Sequence, residues 1–297
     1  MPDDVLRVLQ LNAGSLLEPG WTERRAEIVS WLRHLQPDAV CFQEVWEDDH
    51  TENTAGWIAG QMPEAGWHWA FGGEPFGSGF WPDPSLRFGS AILSRWPIES
   101  SAYHRLPVVE DEEAFVVSVP WELLHVRTAG LDVFSCHLAA APTHGRHRRA
   151  QVLAIDEIIK TVRGDRDSWG GPGQHIVGMP AILCGDFNAE PESDEIRFLS
   201  SLTVLDGRTA FYQDAWRVAG EKGPGYTQDW RTNAIAGALN VHRKRIDYVF
   251  VGDPFQRRDH AGRVLSAELA CHTPRTGVLA SDHAGLVVDI LWPDRPQ

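Results

Sequence analysis

The sequence predicts an α/β protein in which two packed β-sheets are flanked by helices. Many short apolar runs have the length and residue types of strands, whereas few segments carry apolar residues at helical spacing. So many strands with so few helices suit two packed sheets better than one parallel sheet. The 297 residues, with 43% hydrophobic and 23% charged residues, are consistent with a single large domain over residues 1–297.

The predicted elements alternate along the chain without repeats or low-complexity tracts. Thr22 is the candidate N-cap of a helix that runs to about Leu35, because apolar residues form one stripe and Pro37 follows. Further helices are predicted at about 146–162 and 192–201. Strands are expected near 5–11, 39–43, 67–71, 89–94, 115–119, 121–127, 131–137, 181–185, 246–251, 263–268 and 285–291.

Three long segments contain too many turn or polar residues for regular structure, namely 72–88, 164–178 and 223–244. Long loops in compact domains are usually functional or disordered. The first and third hold aromatic residues, which could stack on a substrate or only fill the loop itself. The candidate substrate-contact residues, in these loops and at the start of the second helix, are Arg87, Arg146, Tyr226, Trp230 and Asn233.

Charge and composition limit the classes of function. A net charge of −14 does not favour nucleic acid as the partner, because such binding depends on Lys and Arg at phosphates. Basic segments at 144–149 and 242–245 could face an anionic substrate or be solvated surface. There is no apolar run of transmembrane length, no signal peptide at the N-terminus, and four cysteines are too few for a disulfide scaffold. We therefore expect a cytoplasmic protein, and the sequence indicates no protein partner.

One predicted turn carries a strong chemical signal. The apolar run 181–184 is followed by Gly185-Asp186-Phe187-Asn188. A strand continued through this segment would direct the side chains of Asp186 and Asn188 to one face. A carboxylate and an amide both offer oxygen to a hard cation, and the amide adds N–H donors for phosphate. The alternative is an Asx-turn that only ends the strand.

Other predicted strands also meet polar residues that can serve the same site. These residues are Asn12, Glu44, His137, Asp247, Asp282 and His283. Open α/β sheets bind ligands where strand ends and their loops converge. Each residue alone also has a structural explanation, such as a solvated carboxylate, a buried histidine or a turn cap. Asp247 lies inside an apolar strand and needs a partner, for which Arg245 or a histidine is available.

Taken in order, several segments resemble the motifs of the endonuclease/exonuclease/phosphatase family of deoxyribonuclease I-like phosphoesterases. They are Leu11-Asn12, Gln43-Glu44, Ala91-Ile92-Leu93-Ser94-Arg95, Cys136-His137-Leu138, Gly185-Asp186-Phe187-Asn188, Arg245-Ile246-Asp247-Tyr248 and Ser281-Asp282-His283. The resemblance implies a four-layer α/β sandwich with the site at one edge of the paired sheets. Because the family includes nucleases, sphingomyelinases, inositol-polyphosphate phosphatases and deadenylases, it does not define the substrate.

The resemblance also implies a metal site. Glu44 would be the principal metal ligand, Asn12 would assist it, and Asp282 would be a further ligand or support one. Since these groups offer only oxygen, Mg²⁺ is the expected cofactor, with Mn²⁺ as a substitute.

The remaining roles implied by the resemblance concern water and phosphate. Asp186 would activate the attacking water, and Asn188 would hold the water or the phosphate. His283, oriented by Asp247, would donate to the phosphoryl oxygens, and His137 would supply a second donor. Apurinic endonucleases of the family carry tyrosine in the region of His137, so a role in abasic-site repair is disfavoured.

The sequence therefore favours a Mg²⁺-dependent phosphoester hydrolase, and within that class a nuclease-like phosphodiesterase. One alternative is a phosphomonoesterase that acts on a small phosphorylated metabolite or a lipid headgroup. An alternative of another class is a non-catalytic binding protein on the same fold. The presence of the whole set of metal and catalytic residues argues against that alternative.

Overall fold

Two six-stranded β-sheets lie face to face in the computed structural model, which describes residues 3–48, 53–75, 86–109, 121–167, 175–238, 242–253, 255, 257 and 259–296. The first sheet contains β1 (Val5–Asn12), β2 (Ala39–Glu47), β3 (His68–Pro75), β4 (Arg87–Ser94), β11 (Val264–Ala270) and β12 (Gly285–Leu291). The second contains β5 (Ile98–Arg105), β6 (Glu122–Thr128), β7 (Leu131–His137), β8 (Ile182–Asp186), β9 (Tyr212–Asp214) and β10 (Asp247–Gly252).

The two sheets share one connection pattern. The strand orders are β11-β12-β1-β2-β4-β3 and β5-β6-β7-β8-β10-β9. Each sheet has one parallel pair at its centre, β1 with β2 and β7 with β8, and its other pairs are antiparallel. The mixed sheets confirm the predicted fold class.

The largest helices cover the outer faces of the sheets, α1 on the first and α3 on the second. The helices are α1 (Trp21–Leu35), α2 (Thr54–Gly60), α3 (Gly145–Arg163), α4 (Asp194–Leu199), α5 (Ala215–Ala219) and α6 (Ala234–Ala238). The buried residues of α5, Ala215 and Trp216, belong to the apolar cluster between the sheets. Short 3₁₀ turns occur at Ser15–Leu17, Pro63–Ala65, Pro142–His144 and Gly164–Asp167. None of the helices in the described part of the chain combines the length and the apolar character needed to cross a membrane.

Three apolar clusters divide the molecule into four layers. In β1, Leu6 and Val8 point to the cluster between the sheets, whereas Leu9 and Leu11 point to the cluster under α1. A third cluster lies between the second sheet and α3. This alternation follows from the two-residue period of strands, and it explains why both faces of the central strands are apolar.

Several predicted boundaries were wrong. The segment 98–105 is a strand that was not predicted, and β3 and β4 both extend into the predicted loop 72–88. Gly20, with φ 73°, occupies the N-cap of α1, and Thr22 is the second residue of the helix. The third predicted helix is shorter, spanning Asp194–Leu199, and α2, α5 and α6 were not predicted. The predicted strand at 115–119 lies outside the described residues.

Candidate active site

The inward-facing rows of the central strands all end in polar residues at one edge of the sandwich. In β8 the row is Ile182, Cys184 and Asp186, and the first two belong to the apolar cluster between the sheets. The rows of β1, β7 and β10 end likewise at Asn12, His137 and Asp247. His137 and Asp247 are both register partners of Asp186. Side chains of paired residues share a face, so the topology alone brings these groups together.

Asp186 lies at the centre of the group. Its Oδ2 atom is 3.1 Å from Asn12 Nδ2, 3.7 Å from His137 Nε2 and 3.9 Å from His283 Nε2. Its Oδ1 atom accepts the main-chain N–H of Asn188 at 2.9 Å. The carboxylate is 2% exposed, so one oxygen is fixed by the backbone while the other faces two imidazoles.

Asn188 does not continue the strand on the same face as Asp186, as a continued strand would require. The strand ends at Asp186, and the next residues form an Asx-turn in which Asn188 has a φ of 48°. The Asn188 amide donates to the carbonyl of Leu138 at 3.0 Å, and this bond ties the turn to the end of β7. Its contact with water or phosphate remains a prediction.

Asp247 and His283 form a buried hydrogen-bonded pair. The Oδ2 atom of Asp247 is 2.8 Å from His283 Nδ1, and Gln10 Nε2 donates to the other oxygen at 3.3 Å. Burial opposes the charge of His283, but the carboxylates of Asp247 and Asp282 raise its pKa well above the usual value. Burial, with Asp186 nearby, raises the pKa of Asp247 against the opposing effect of His283.

Arg245, the other partner considered for Asp247, binds elsewhere. Its two terminal nitrogens each donate to an Asp214 oxygen at 2.9 Å. Its guanidinium also lies 4.7 Å from the ring centre of Tyr248. This pair anchors the start of β10 to β9, and the histidine is therefore the partner that the Asp247 carboxylate has.

A β-bulge turns Glu44 toward the site. In β2, Val40, Phe42 and Val45 all contribute to the outer cluster, so one residue is inserted between Phe42 and Val45. Glu44 has a φ of 55°, a left-handed conformation that is uncommon for residues other than glycine. Bulges re-aim side chains beside active sites, and strain of this kind persists where the surroundings enforce it. Without the bulge, the side chain of Glu44 would not follow the inward row.

Glu44 contacts both halves of the site. Asn12 Nδ2 donates to Glu44 Oε1 at 3.1 Å, while Asn12 Oδ1 accepts the N–H of Gly14 at 3.0 Å. Burial raises the pKa of Glu44; His137 lowers it and Asp282 raises it. A carboxylate held in this way gains most from a nearby cation.

Two residues that the sequence did not indicate complete this edge. The Glu18 carboxylate lies against Asp282, and burial together with the charge of Asp282 raises the pKa of Glu18 to about 9. Burial alone would raise the pKa of Asp282, but His283 and hydrogen bonds from Glu18, Gln228 and Ser281 lower it. Gln228 Nε2 lies 2.8 Å from Asp282 Oδ2 and 2.8 Å from His283 Nε2.

The donor set fits a hard divalent cation. Glu18, Glu44 and Asp282 bring carboxylate oxygens to the same edge. The Asn12 amide turns its nitrogen to Glu44 and Asp186 and its oxygen to Gly14, and its role as a metal ligand remains a prediction. A tighter group, Asp186 with Asp247 and His283, has ligand atoms within 4.8 Å of one another. In that group Asp247 Oδ2 and His283 Nδ1 are already joined at 2.8 Å, which leaves no space for an ion between these two atoms.

A polar network beneath the site joins the two sheets. Gln43 Nε2, on β2, donates to Gln10 Oε1 at 3.0 Å and to Ser135 Oγ at 2.9 Å. Gln10, on β1, donates to Asp247 of β10. These four side chains are completely buried, and each has a partner across or within the network. The network fixes the two sheets relative to each other directly below Asn12 and Asp186.

The residues predicted to contact substrate have varied surroundings. Trp230 is 50% exposed, whereas Tyr226 is half-buried under the Arg243 guanidinium. Asn233 is buried, caps α6 through its oxygen and donates to the carbonyl of Ser281, so its amide has a structural role. Arg87 pairs with Glu47, three residues beyond Glu44 in the chain, and Arg146 is exposed at the start of α3. Their contact with substrate remains a prediction.

Known proteins resemble this chain in sequence and in fold. Rat protein angel homolog 1 is 26% identical over 93% of this chain, which spans 40% of that relative's length. Nocturnin of Xenopus laevis is 25% identical over 93% of this chain and 66% of the relative. The crystal structure of an endonuclease/exonuclease/phosphatase from Beutenbergia cavernae shares the fold, with a TM-score of 0.66, 20% identity and coverage of 99% of this chain and 73% of that one.

A family model gives the assignment. It covers residues 9–283, which include every group described at this edge of the sandwich. The chain therefore belongs to the Endonuclease/Exonuclease/phosphatase family, a family of enzymes that hydrolyse phosphoric ester bonds.

Proposed function

We propose that this protein is a Mg²⁺-dependent phosphodiesterase in which water, activated by Asp186, attacks the phosphorus in line with the leaving oxygen. The observation that carries the proposal is the position of Asp186 Oδ2, within 4 Å of the Nε2 atoms of both His137 and His283. A carboxylate between two potential donors is arranged to hold a water whose proton it accepts. The donors on either side then face the phosphoryl oxygens.

Asp186 is suited to orient the water because only its Oδ2 atom faces the two histidines. The N–H of Asn188 holds Oδ1, and Asn12 supports Oδ2. The side chain therefore keeps a single orientation without substrate. This preorganisation lowers the cost of aligning the nucleophile.

His283 is suited to donate a hydrogen bond to the phosphoryl group. Asp247 accepts from Nδ1, and the nearby carboxylates raise the pKa of the ring. Nε2 lies 2.8 Å from Gln228 Nε2 and 3.9 Å from Asp186 Oδ2. His137 lies on β7, the strand beside that of Asp186, and its Nε2 atom is directed at Asp186. Two donors on opposite sides of a trigonal-bipyramidal phosphorus would stabilise the charge on its equatorial oxygens.

The metal ligands of the proposal are Glu44, Asn12 and Asp282. When bound, the cation would polarise a phosphoryl oxygen and offset charge on the leaving oxygen. Mn²⁺ prefers the same oxygen ligands and should substitute for Mg²⁺.

The substrate of the proposal is a phosphodiester of unspecified leaving group. The net charge of −14 still argues against wide electrostatic attachment to nucleic acid. Tyr226 and Trp230 offer aromatic surface on the segment that also carries Gln228. A cytoplasmic location remains a prediction.

The test compares two chromogenic esters, bis(4-nitrophenyl) phosphate and 4-nitrophenyl phosphate, with Mg²⁺, Mn²⁺ or EDTA. We expect hydrolysis of the diester with either metal and none in EDTA. Asp186→Asn should lower kcat by about 10²–10⁴-fold, the usual contribution of a positioned acid or base. The exposed helix carboxylate Asp194 provides the control, and Asp194→Asn should retain full activity.

Other outcomes would redirect the assignment. Hydrolysis of the monoester alone would make the protein a phosphatase. Activity that survives EDTA or the loss of Asp186 would refute the mechanism. Metal binding without hydrolysis of either ester would favour the binding-protein alternative.

A further inference from the structure

Glu18 is a buried carboxylate that the proposed mechanism does not use. It lies between β1 and α1 and is 9% exposed. Its Oε2 atom sits 2.2 Å from the position that a Cβ at Gly14 would take, so it fills the space left by the missing side chain. Gly14, with a φ of 58°, also donates its N–H to Asn12 Oδ1. The turn after β1 thus places the Glu18 carboxylate beside a proposed metal ligand.

Arg24 compensates the charge of Glu18 only in part. Its guanidinium has five N–H donors, and each is directed at a main-chain carbonyl. The acceptors are the carbonyl oxygens of Ala13, Ser15, Glu18, Pro19 and Ala280. The closest approach of an Arg24 nitrogen to the Glu18 carboxylate is 3.6 Å. Arg24 therefore holds the loop backbone and leaves the carboxylate poorly compensated.

The neighbours of Glu18 on its other side are acidic. Oε2 of Glu18 accepts the main-chain N–H of Asp282 at 3.4 Å, and the side chains of Asp282 and Glu44 are both close enough to oppose its charge. Three carboxylates so placed at a buried edge require a cation or protons.

Gln228 gives an independent sign that a ligand belongs here. It is 5% exposed, and its amide nitrogen contacts Asp282 at 2.8 Å. Its Oε1 atom is buried and has no hydrogen-bond partner within the described ranges. A buried amide oxygen without a partner, on a side chain that contacts a carboxylate, can be satisfied by a cation or its bound water.

We infer that Glu18 is an additional ligand of the divalent cation, beside Glu44 and Asp282. This inference rests on the proposed metal-dependent function. More carboxylate ligands give oxygen-based sites higher affinity for divalent cations. The loop between β1 and α1 would then become part of the metal site.

A structural role for Glu18 predicts the opposite effect on stability. If Glu18 served only as an ion-pair partner of Arg24, Glu18→Gln would lower the melting temperature of the metal-free protein. If Glu18 faces two other carboxylates to hold a cation, the neutral amide relieves repulsion. The melting temperature in EDTA should then rise by about 2 °C or more.

The experiment is a titration of the full chain with Mn²⁺ by isothermal calorimetry, together with thermal unfolding in EDTA and in Mn²⁺. The variants are Glu18→Gln and Glu18→Ala, with Glu23→Gln as the control because Glu23 is exposed on the first turn of α1. We expect Glu18→Gln and Glu18→Ala to bind Mn²⁺ about 10-fold more weakly or worse, and the control to match the wild type.

The outcomes distinguish a failure of the inference on Glu18 from a failure of the proposed metal-dependent function. Wild-type protein that binds no Mn²⁺ would overturn the proposed metal dependence, and with it the role of Glu18. Wild-type protein that binds, together with Glu18 variants that bind equally well, would overturn the role of Glu18 alone. A lower melting temperature for Glu18→Gln with unchanged affinity would assign Glu18 to the Arg24 pair.

Discussion

Replacing Asp247 with asparagine isolates the contribution of the buried pair that orients His283. The two residues are joined at 2.8 Å, and Gln10 donates to the second carboxylate oxygen at 3.3 Å. An asparagine of the same shape has one acceptor and one donor group, whereas both neighbours donate. One of the two contacts must therefore become a clash of donors, unless His283 changes the nitrogen that carries its proton. Either result disturbs the donor that faces the phosphoryl group.

The expected loss follows from the role assigned to His283. A positioned proton donor or acceptor contributes about 10²–10⁴-fold to the rate, which is about 2.7–5.5 kcal/mol of activation free energy. Asp247 has no exposed surface and cannot touch the substrate, so kcat should fall while KM changes little. The assay is the initial rate of diester hydrolysis at saturating Mn²⁺, measured as a function of pH.

Asp214→Asn is the matched control. It removes another buried carboxylate from a neighbouring strand, and leaves Arg245 without its partner. Breaking such a pair should cost about 3–5 kcal/mol of stability while kcat of the folded protein is kept. A kcat for Asp247→Asn within about threefold of the wild-type value, with an unchanged pH profile, would refute the assigned role of the pair.

Three further predictions concern stability. Arg24→Met should lower the free energy of unfolding by about 3 kcal/mol or more, since several buried carbonyls lose their donors; urea unfolding measures this, and a loss below about 1 kcal/mol would contradict it. Burial alone would raise the pKa of Asp132, but hydrogen bonds from His125 and Arg163 lower it, so its stabilisation is complete above the ordinary pKa of 3.8 and is lost as pH falls through the folded-state value. The melting temperature of Asp132→Asn should therefore lie below that of the wild type at neutral pH and approach it in acid, and a gap independent of pH would count against this reasoning. Mn²⁺ at about 100 times its Kd should stabilise the protein by about 2.7 kcal/mol, and an unchanged melting temperature between EDTA and Mn²⁺ would exclude specific binding.

The rows of the central strands could be predicted because they follow a simple period. In the sequence, apolar residues at every second position of β8 lead directly to Asp186, and those of β1 lead through Gln10 to Asn12. The observed register places Asp186 opposite both His137 and Asp247, a detail that the sequence analysis did not predict. For these residues, the two-residue period of a strand is enough to predict which side chains face the site.

Glu44 and Glu18 show what the sequence could not provide. The apolar pattern of β2 does not show where a residue is inserted, and the bulge depends on pairing with β4. Glu18 lies in a short loop beside Pro19, where an acidic residue has no periodic neighbours. Its position depends on Gly14 and on Asp282, which lies 264 residues later in the chain, just before β12. Gly14, two residues after Asn12, is the sequence signal that could have drawn attention to this turn.

The strand β5 was missed for a related reason. Its residues Ile98–Arg105 are mostly polar or exposed, so they carry neither a buried run nor a clear alternation. Its strand conformation comes from pairing with β6. Pairing partners far along the chain determine edge strands more than local sequence does.

The glutamine network beneath the site has a consequence for how the protein fails. The residues of the site come from both sheets, and the rise along a strand is about 3.3 Å per residue. A slip of one residue between the sheets would move Asn12 out of hydrogen-bonding range of Asp186, from which it is now 3.1 Å away. Gln10 and Gln43 therefore fix the position of one sheet relative to the other. Loss of these hydrogen bonds would abolish the activity while each sheet remained folded.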